Sequence, residues 1–259
     1  MGVKQISNTG CHAAELIVWY DSVEVYEKRS LAVQLDDIVP WGRTFDEYRR
    51  MFLLDETELS GTILGCGDGP ASFNAEASAV GYRVTSCDPI YQFSRAQLAC
   101  RIAEVYEQVM EQLYQHLADY RWDEFRTPVE VGERRMCAMR AFLQDYPLGK
   151  AAGRYVEGEL PTLPFPNTHF DLALCSHLLF LYSDKLSLAF HRLAIQELCR
   201  IATEVRIFPL LNLDNAPSIY LPTLIAELRA QGYQVTIESS TYEFQRGANQ
   251  FLRIQHASL

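Results

Sequence analysis

The sequence predicts an α/β protein with a mostly parallel sheet and helices on both of its faces. Three observations lead there. Short β-rich runs alternate with helix-period segments along most of the chain. A glycine-rich turn follows the first of these runs, Thr62-Ile63-Leu64. The last two runs have no helix between them, which makes the final strand antiparallel to its neighbour.

Each element has its own signal. Thr44-Phe45-Asp46-Glu47 matches a capping box and starts a helix over 45–52, which Asp55-Glu56-Thr57 breaks. Residues 13–27 are mixed apolar and acidic and fit helix or strand. Thr62–Leu64 reads as a buried strand, and 71–80 as a helix closed by Gly81. Arg83–Cys87 is a β-rich strand ended by Asp88-Pro89. Ser94-Arg95-Ala96-Gln97 opens a long helix whose Ile102, Val105, Val109, Leu113 and Leu117 share one face. Two further helical patches, 122–126 and 134–146, precede the return at Gly149 and Gly153. Tyr155-Val156 and 170–175 are strands, 184–201 a helix, 204–210 a strand and 221–231 a helix. Strands at 235–238 and 251–254 close the chain. The organisation expected is an N-terminal helical lid segment over 1–60, then a domain over 61–259 with an all-helical insertion at about 95–154.

Composition bounds the function. The formal charge of −10 over 259 residues disfavours phosphate-backbone partners. No apolar run is long enough to span a membrane, and the N-terminal stretch lacks the pattern of a signal peptide. Seven cysteines, an odd number with no CxxC pair, indicate neither a disulfide framework nor a zinc site. A cytoplasmic protein with no metal is the expectation.

The chemistry concentrates in Gly65-Cys66-Gly67-Asp68-Gly69-Pro70. Three alternate glycines strip side chains from a turn at the C-terminal edge of a strand, where open α/β sheets take ligands. Asp88 closes the next strand and can accept hydrogen bonds from two ribose hydroxyls. Both features also suit a nicotinamide dinucleotide, but Pro70 breaks the G-x-G-x-x-G pattern.

These residues resemble the class I S-adenosylmethionine-dependent methyltransferases. The family's G-x-G-x-G motif matches Gly65 to Gly69, and its ribose-holding acid matches Asp88, followed by Pro89 and Ile90. Leu163-Pro164-Phe165-Pro166-Asn167-Thr168-His169-Phe170-Asp171 is similar to the stretch before the family's fourth strand. Counting back places Glu159 and Leu160 at the adenine, and Cys175-Ser176-His177 at the cofactor-facing end of strand four. The resemblance covers about 61–94 and 155–255 and implies a Rossmann-like fold: a seven-stranded, mostly parallel sheet with an antiparallel last strand, a helical insertion after the second strand, and S-adenosylmethionine as cofactor. One departure stands out. The family's acid two positions before the first glycine is Ile63 here, and Asp68 or backbone carbonyls are left to replace it.

On the acceptor side, His177 is the candidate acid–base residue. Trp41, Arg43, Tyr91 and Arg246 are candidates for lining the acceptor. The family's Asn/Asp-Pro-Pro-Tyr/Phe motif of adenine methylation is replaced by Cys175-Ser176-His177-Leu178. That points to methylation of an oxygen or nitrogen on a small molecule. The rival readings are a non-catalytic cofactor-binding regulator and a nicotinamide oxidoreductase. The apolar face of the insertion suits a lid over substrate, a homodimer contact or packing on its own domain.

Overall fold

In the computed structural model the described residues are 41–256; the stretch 13–27 lies outside them. The strands are β1 (Thr62–Cys66), β2 (Arg83–Cys87), β3 (Tyr155–Val156), β4 (Phe170–Ser176), β5 (Ala202–Phe208), β6 (Tyr233–Ser239) and β7 (Gln250–His256). They form one sheet in the order β3-β2-β1-β4-β5-β7-β6. Strands β1 to β5 pair in parallel, and β7 runs antiparallel to both β5 and β6. This is the Rossmann-like class I methyltransferase fold. The reversal follows from the chain's return after β6, which inserts β7 between β5 and β6, with Val205 opposite Ile254 and Ile237 opposite Leu252. Strand β4 is buried at every residue but Asp171, as its near-continuous apolar run requires of a central parallel strand.

Helix α1 (Phe45–Phe52) begins where the capping box places it: Thr44 Oγ1 accepts from Glu47 N, and Glu47 Oε2 accepts from Thr44 N at 2.8 Å. Tyr48 stacks on Phe73 with ring centroids 4.2 Å apart, and Phe52 packs edge-on against Phe208 and Phe251. The supposed break at Asp55 is a second capping box, with Asp55 and Glu58 bonding reciprocally at the start of α2 (Glu56–Ser60). Helices α3 (Phe73–Ala79), α6 (Leu188–Ile201) and α7 (Leu221–Ala230) connect the strands. Helix α6 starts later than the pattern suggests, because Ser187 caps it through Phe190 N.

Between β2 and β3 stand α4 (Arg95–Gln115), a 3₁₀ turn at Leu117–Asp119 and α5 (Pro128–Ala151). Residues 122–126 are irregular rather than helical, and α5 is one long helix capped by Thr127 with proline at its first turn. Gly149 lies inside α5 instead of marking the return, because the Tyr155 ring occupies the space a Cβ would need. Helix α5 is locked to α1 by a fully buried ion pair, Arg135 Nη1 to Glu47 at 2.6 Å, which also engages the Tyr242 hydroxyl from the β6–β7 loop. Among the described residues Cys66, Cys87, Cys137, Cys175 and Cys199 are free thiols. Among the described residues no helix is long and apolar enough to cross a membrane.

Candidate active site

Strands β1, β2, β3 and β4 end at one edge, and the glycine turn leaves β1 there. The turn needs its glycines for separate reasons. Gly67 and Gly69 adopt positive φ of 71° and 54°. A Cβ on Gly67 would also stand 2.7 Å from Leu178 Cδ2, while one on Gly65 would overlap the Asp68 carboxylate. The turn is anchored to β2 by Gly67 N–H donating to Cys87 O at 2.9 Å.

Asp88 meets this turn directly. Its Oδ2 accepts from Gly69 N at 2.8 Å and its Oδ1 from Ile90 N at 2.9 Å. Each carboxylate oxygen keeps a second lone pair. Burial pushes the Asp88 carboxyl up to about 6 despite the two backbone donors. Pro89 and Ile90 belong to the 3₁₀ turn that Asp88 caps. Tyr91, expected beside the acceptor, lies beneath the turn instead: it is fully buried, and its hydroxyl donates to Gly69 O at 2.8 Å.

Asp68 points away from the open edge. Its Oδ1 accepts from the Tyr48 hydroxyl at 2.7 Å and its Oδ2 from Ser86 Oγ at 2.5 Å. Burial raises its carboxyl to about 7, and the two hydroxyl donors oppose that shift. Ile63 is fully buried in the core. The segment after β3 closes on the end of β2, since a Cβ on Gly158 would stand 2.6 Å from Cys87 Sγ. Glu159 and Leu160 follow at once, in a tight turn with Thr162 N–H donating to Glu159 O. Glu159 is exposed and Leu160 buried.

At the end of β4 the Cys66 and Cys175 thiols are buried in paired register, so these positions offer a ligand only backbone. His177 is held at φ 54°, uncommon for a non-glycine, by its N–H donating to Phe208 O at 2.7 Å. Its Nδ1 lies 2.8 Å from Ser176 Oγ. The Ser176 hydroxyl also lies 4.0 Å from Met51 Sδ, and the contact to Nδ1 leaves Nε2 as the ring nitrogen not engaged by Ser176. Burial lowers the His177 pKa well below the usual value, and Arg43 and Arg135 lower it further. The ring is therefore neutral at neutral pH. Trp41, partly buried, packs its ring toward Tyr106 of α4. Arg246 is exposed and donates its Nε–H to Ala118 O at 2.7 Å, tying the β6–β7 loop to the insertion.

Comparison with known proteins places the chain. It is 36% identical over 228 residues to the uncharacterized protein MJ0045 of Methanocaldococcus jannaschii, an alignment spanning 86% of this chain and 98% of that one. This chain belongs to that family. No protein-family model matches it. Among solved structures it is similar to a TehB-like SAM-dependent methyltransferase from Corynebacterium glutamicum, with 14% identity, 82% and 87% of the two chains covered and a TM-score of 0.43. It is likewise similar to magnesium protoporphyrin IX methyltransferase from Synechocystis PCC 6803, with 11% identity, 82% and 78% covered and a TM-score of 0.43.

Two groups at the site carry no signal in the sequence pattern. Tyr48 and Ser86 hold the Asp68 carboxylate, although they sit 20 and 18 residues from it on other elements. The Glu47–Arg135–Tyr242 cluster joins three distant segments.

Proposed function

We propose that the protein is an S-adenosylmethionine-dependent methyltransferase acting on an oxygen or nitrogen of a small-molecule acceptor. One observation carries this reading: the side-chain-free turn and the Asp88 carboxylate touch each other, through Gly69 N at 2.8 Å, on adjacent strand ends. A nucleoside there has Asp88 lone pairs for its ribose and glycine backbone for its chain. The residues fit an adenosyl group. A Cβ at Gly69 would meet nothing within 4 Å, so the turn faces open space on that side. Glu159 and the Leu160 amide are the adenine contacts, and the backbone of Gly65, Cys66, Gly67, Cys175 and Ser176 frames the rest. The cofactor's sulfonium supplies an electrophilic methyl group. The chain's own contribution is to position it and exclude water, with neutral His177 receiving a proton from the acceptor through Nε2.

A formal charge of −10 favours a small acceptor over a nucleic acid. Incubation with methyl-labelled cofactor and a fractionated metabolite extract tests the reading: label should enter a small molecule, and at cofactor concentrations below saturation Asp88→Ala should slow the transfer by roughly 10- to 150-fold.

A second reading, a cofactor-binding regulator without turnover, draws on Ile63 being buried and Asp68 being turned inward. It predicts tight binding of S-adenosylhomocysteine and no label transfer from any fraction.

A further inference from the structure

The sheet edge that carries the glycine turn also holds a cation that the fold does not neutralise. The main chain of Arg43 is fixed against the turn's exit. Its carbonyl accepts from Ser72 N at 3.0 Å, and a Cβ on the preceding Gly42 would run into the Pro70 carbonyl. Among the described residues its guanidinium makes one hydrogen bond, Nη1–H to Trp41 O at 2.9 Å, and no ion pair. Its Nε–H is buried and has no acceptor.

The neighbouring charges sharpen the imbalance. Arg135 is matched by Glu47 at 2.6 Å, whose two oxygens are also committed to Thr44 and Tyr242. Arg43 feels both of those charges as well as His177 and the Tyr48 and Tyr242 hydroxyls, so it stands among the groups of the candidate site. This corner therefore holds two guanidinium groups and one carboxylate. An arginine does not shed its proton to relieve burial, so the missing counter-charge has to come from elsewhere. With Nη1 committed, the edge left is Nε with Nη2, two parallel donors that match the two oxygens of a carboxylate.

We propose that Arg43 is the seat of a ligand carboxylate, bound side-on over the glycine turn beside His177. The inference rests on the adenosyl reading of that turn. The carboxylate has two sources, the amino-acid end of the cofactor or an acid group on the acceptor, and the same experiment tells them apart.

The full-length protein and its Arg43→Gln variant are titrated with S-adenosylhomocysteine and with 5′-methylthioadenosine, which keeps the adenosyl thioether and lacks the amino-acid end. Both proteins, saturated with S-adenosylhomocysteine, are then titrated with benzoate and with neutral benzamide. If the cofactor supplies the carboxylate, Arg43→Gln weakens S-adenosylhomocysteine at least about tenfold and leaves 5′-methylthioadenosine unchanged. If the acceptor supplies it, both nucleosides bind as before, while the wild-type preference for benzoate over benzamide disappears in the variant. Arg43→Lys, which keeps the charge and loses the fork, should fall between, and it serves in place of Arg43→Gln should that variant not fold. Equal behaviour of wild type and variant toward all four compounds, with both nucleosides bound, overturns the inference alone. A wild type that binds neither nucleoside overturns the adenosyl reading on which it rests.

Discussion

Replacing Asp88 with alanine separates two jobs that the carboxylate performs. In the free protein it accepts from Gly69 N and Ile90 N, and in the proposed complex its remaining lone pairs accept from ribose hydroxyls. Loss of the ribose bonds to a charged acceptor should weaken S-adenosylhomocysteine by about 1.5–3 kcal/mol, roughly 10- to 150-fold in Kd. Loss of the backbone partners should destabilise the free protein by about 1–3 kcal/mol, with each kcal/mol lowering Tm by about 2–4 °C for a chain of this size. Asp88→Asn keeps one oxygen acceptor and should recover part of the stability but little of the affinity. The assay is calorimetric titration with S-adenosylhomocysteine, well below the melting temperature of each variant. A folded Asp88→Ala protein that binds within about twofold of wild type would refute the ribose assignment.

Three other outcomes follow. Asp68 and Asp88 hold their protons more tightly folded than unfolded, with carboxyls at about 7 and about 6, so the stability they contribute at low pH is lost as pH rises through those values. Melting curves of the free protein should show this decline between about pH 4 and pH 7, Asp68→Asn should flatten its upper part, and an unchanged slope in that variant would rule Asp68 out. Glu47 behaves oppositely: Arg135 overcomes the effect of burial and holds it at about 2, so its contribution fails below about pH 4.5. Breaking that pair with Arg135→Met should cost about 3–5 kcal/mol in urea unfolding, and the double variant with Glu47→Leu should recover most of it; a loss under about 1 kcal/mol would mean the pair is not buried as described. Gly67→Ala forces a side chain into positive φ and against Leu178, and should lower stability by about 1–3 kcal/mol as well as nucleoside affinity; a neutral effect would show that the turn is not rigid.

The succession of strands and helices, the reversed last strand and the placing of the turn and Asp88 on neighbouring strand ends were legible because each depends on local pattern. Alternation, glycine spacing and a strand-ending acid are read within a few residues. The long helix through Gly149 was not, because what fixes that glycine is the Tyr155 ring, a tertiary neighbour. The α2 helix was missed for the opposite reason: Asp55 and Glu58 look like a break in an apolar pattern although together they are a helix start. Tyr91 shows the limit at the site itself. Its nearness to Asp88 in sequence suggests an acceptor contact, yet its ring sits in a cluster with Phe142, Tyr146 and Tyr155 and its hydroxyl supports the turn from below. Sequence places a residue near an edge; only packing decides which way it faces.

Competitive titration of the wild-type protein with S-adenosylhomocysteine and NAD⁺ bears most directly on the adenosyl site. Saturable binding of S-adenosylhomocysteine at one site per chain, undisturbed by excess NAD⁺, is the result expected of a glycine turn joined to Asp88 without a dinucleotide pattern. Binding of NAD⁺ with no measurable heat from S-adenosylhomocysteine would contradict it.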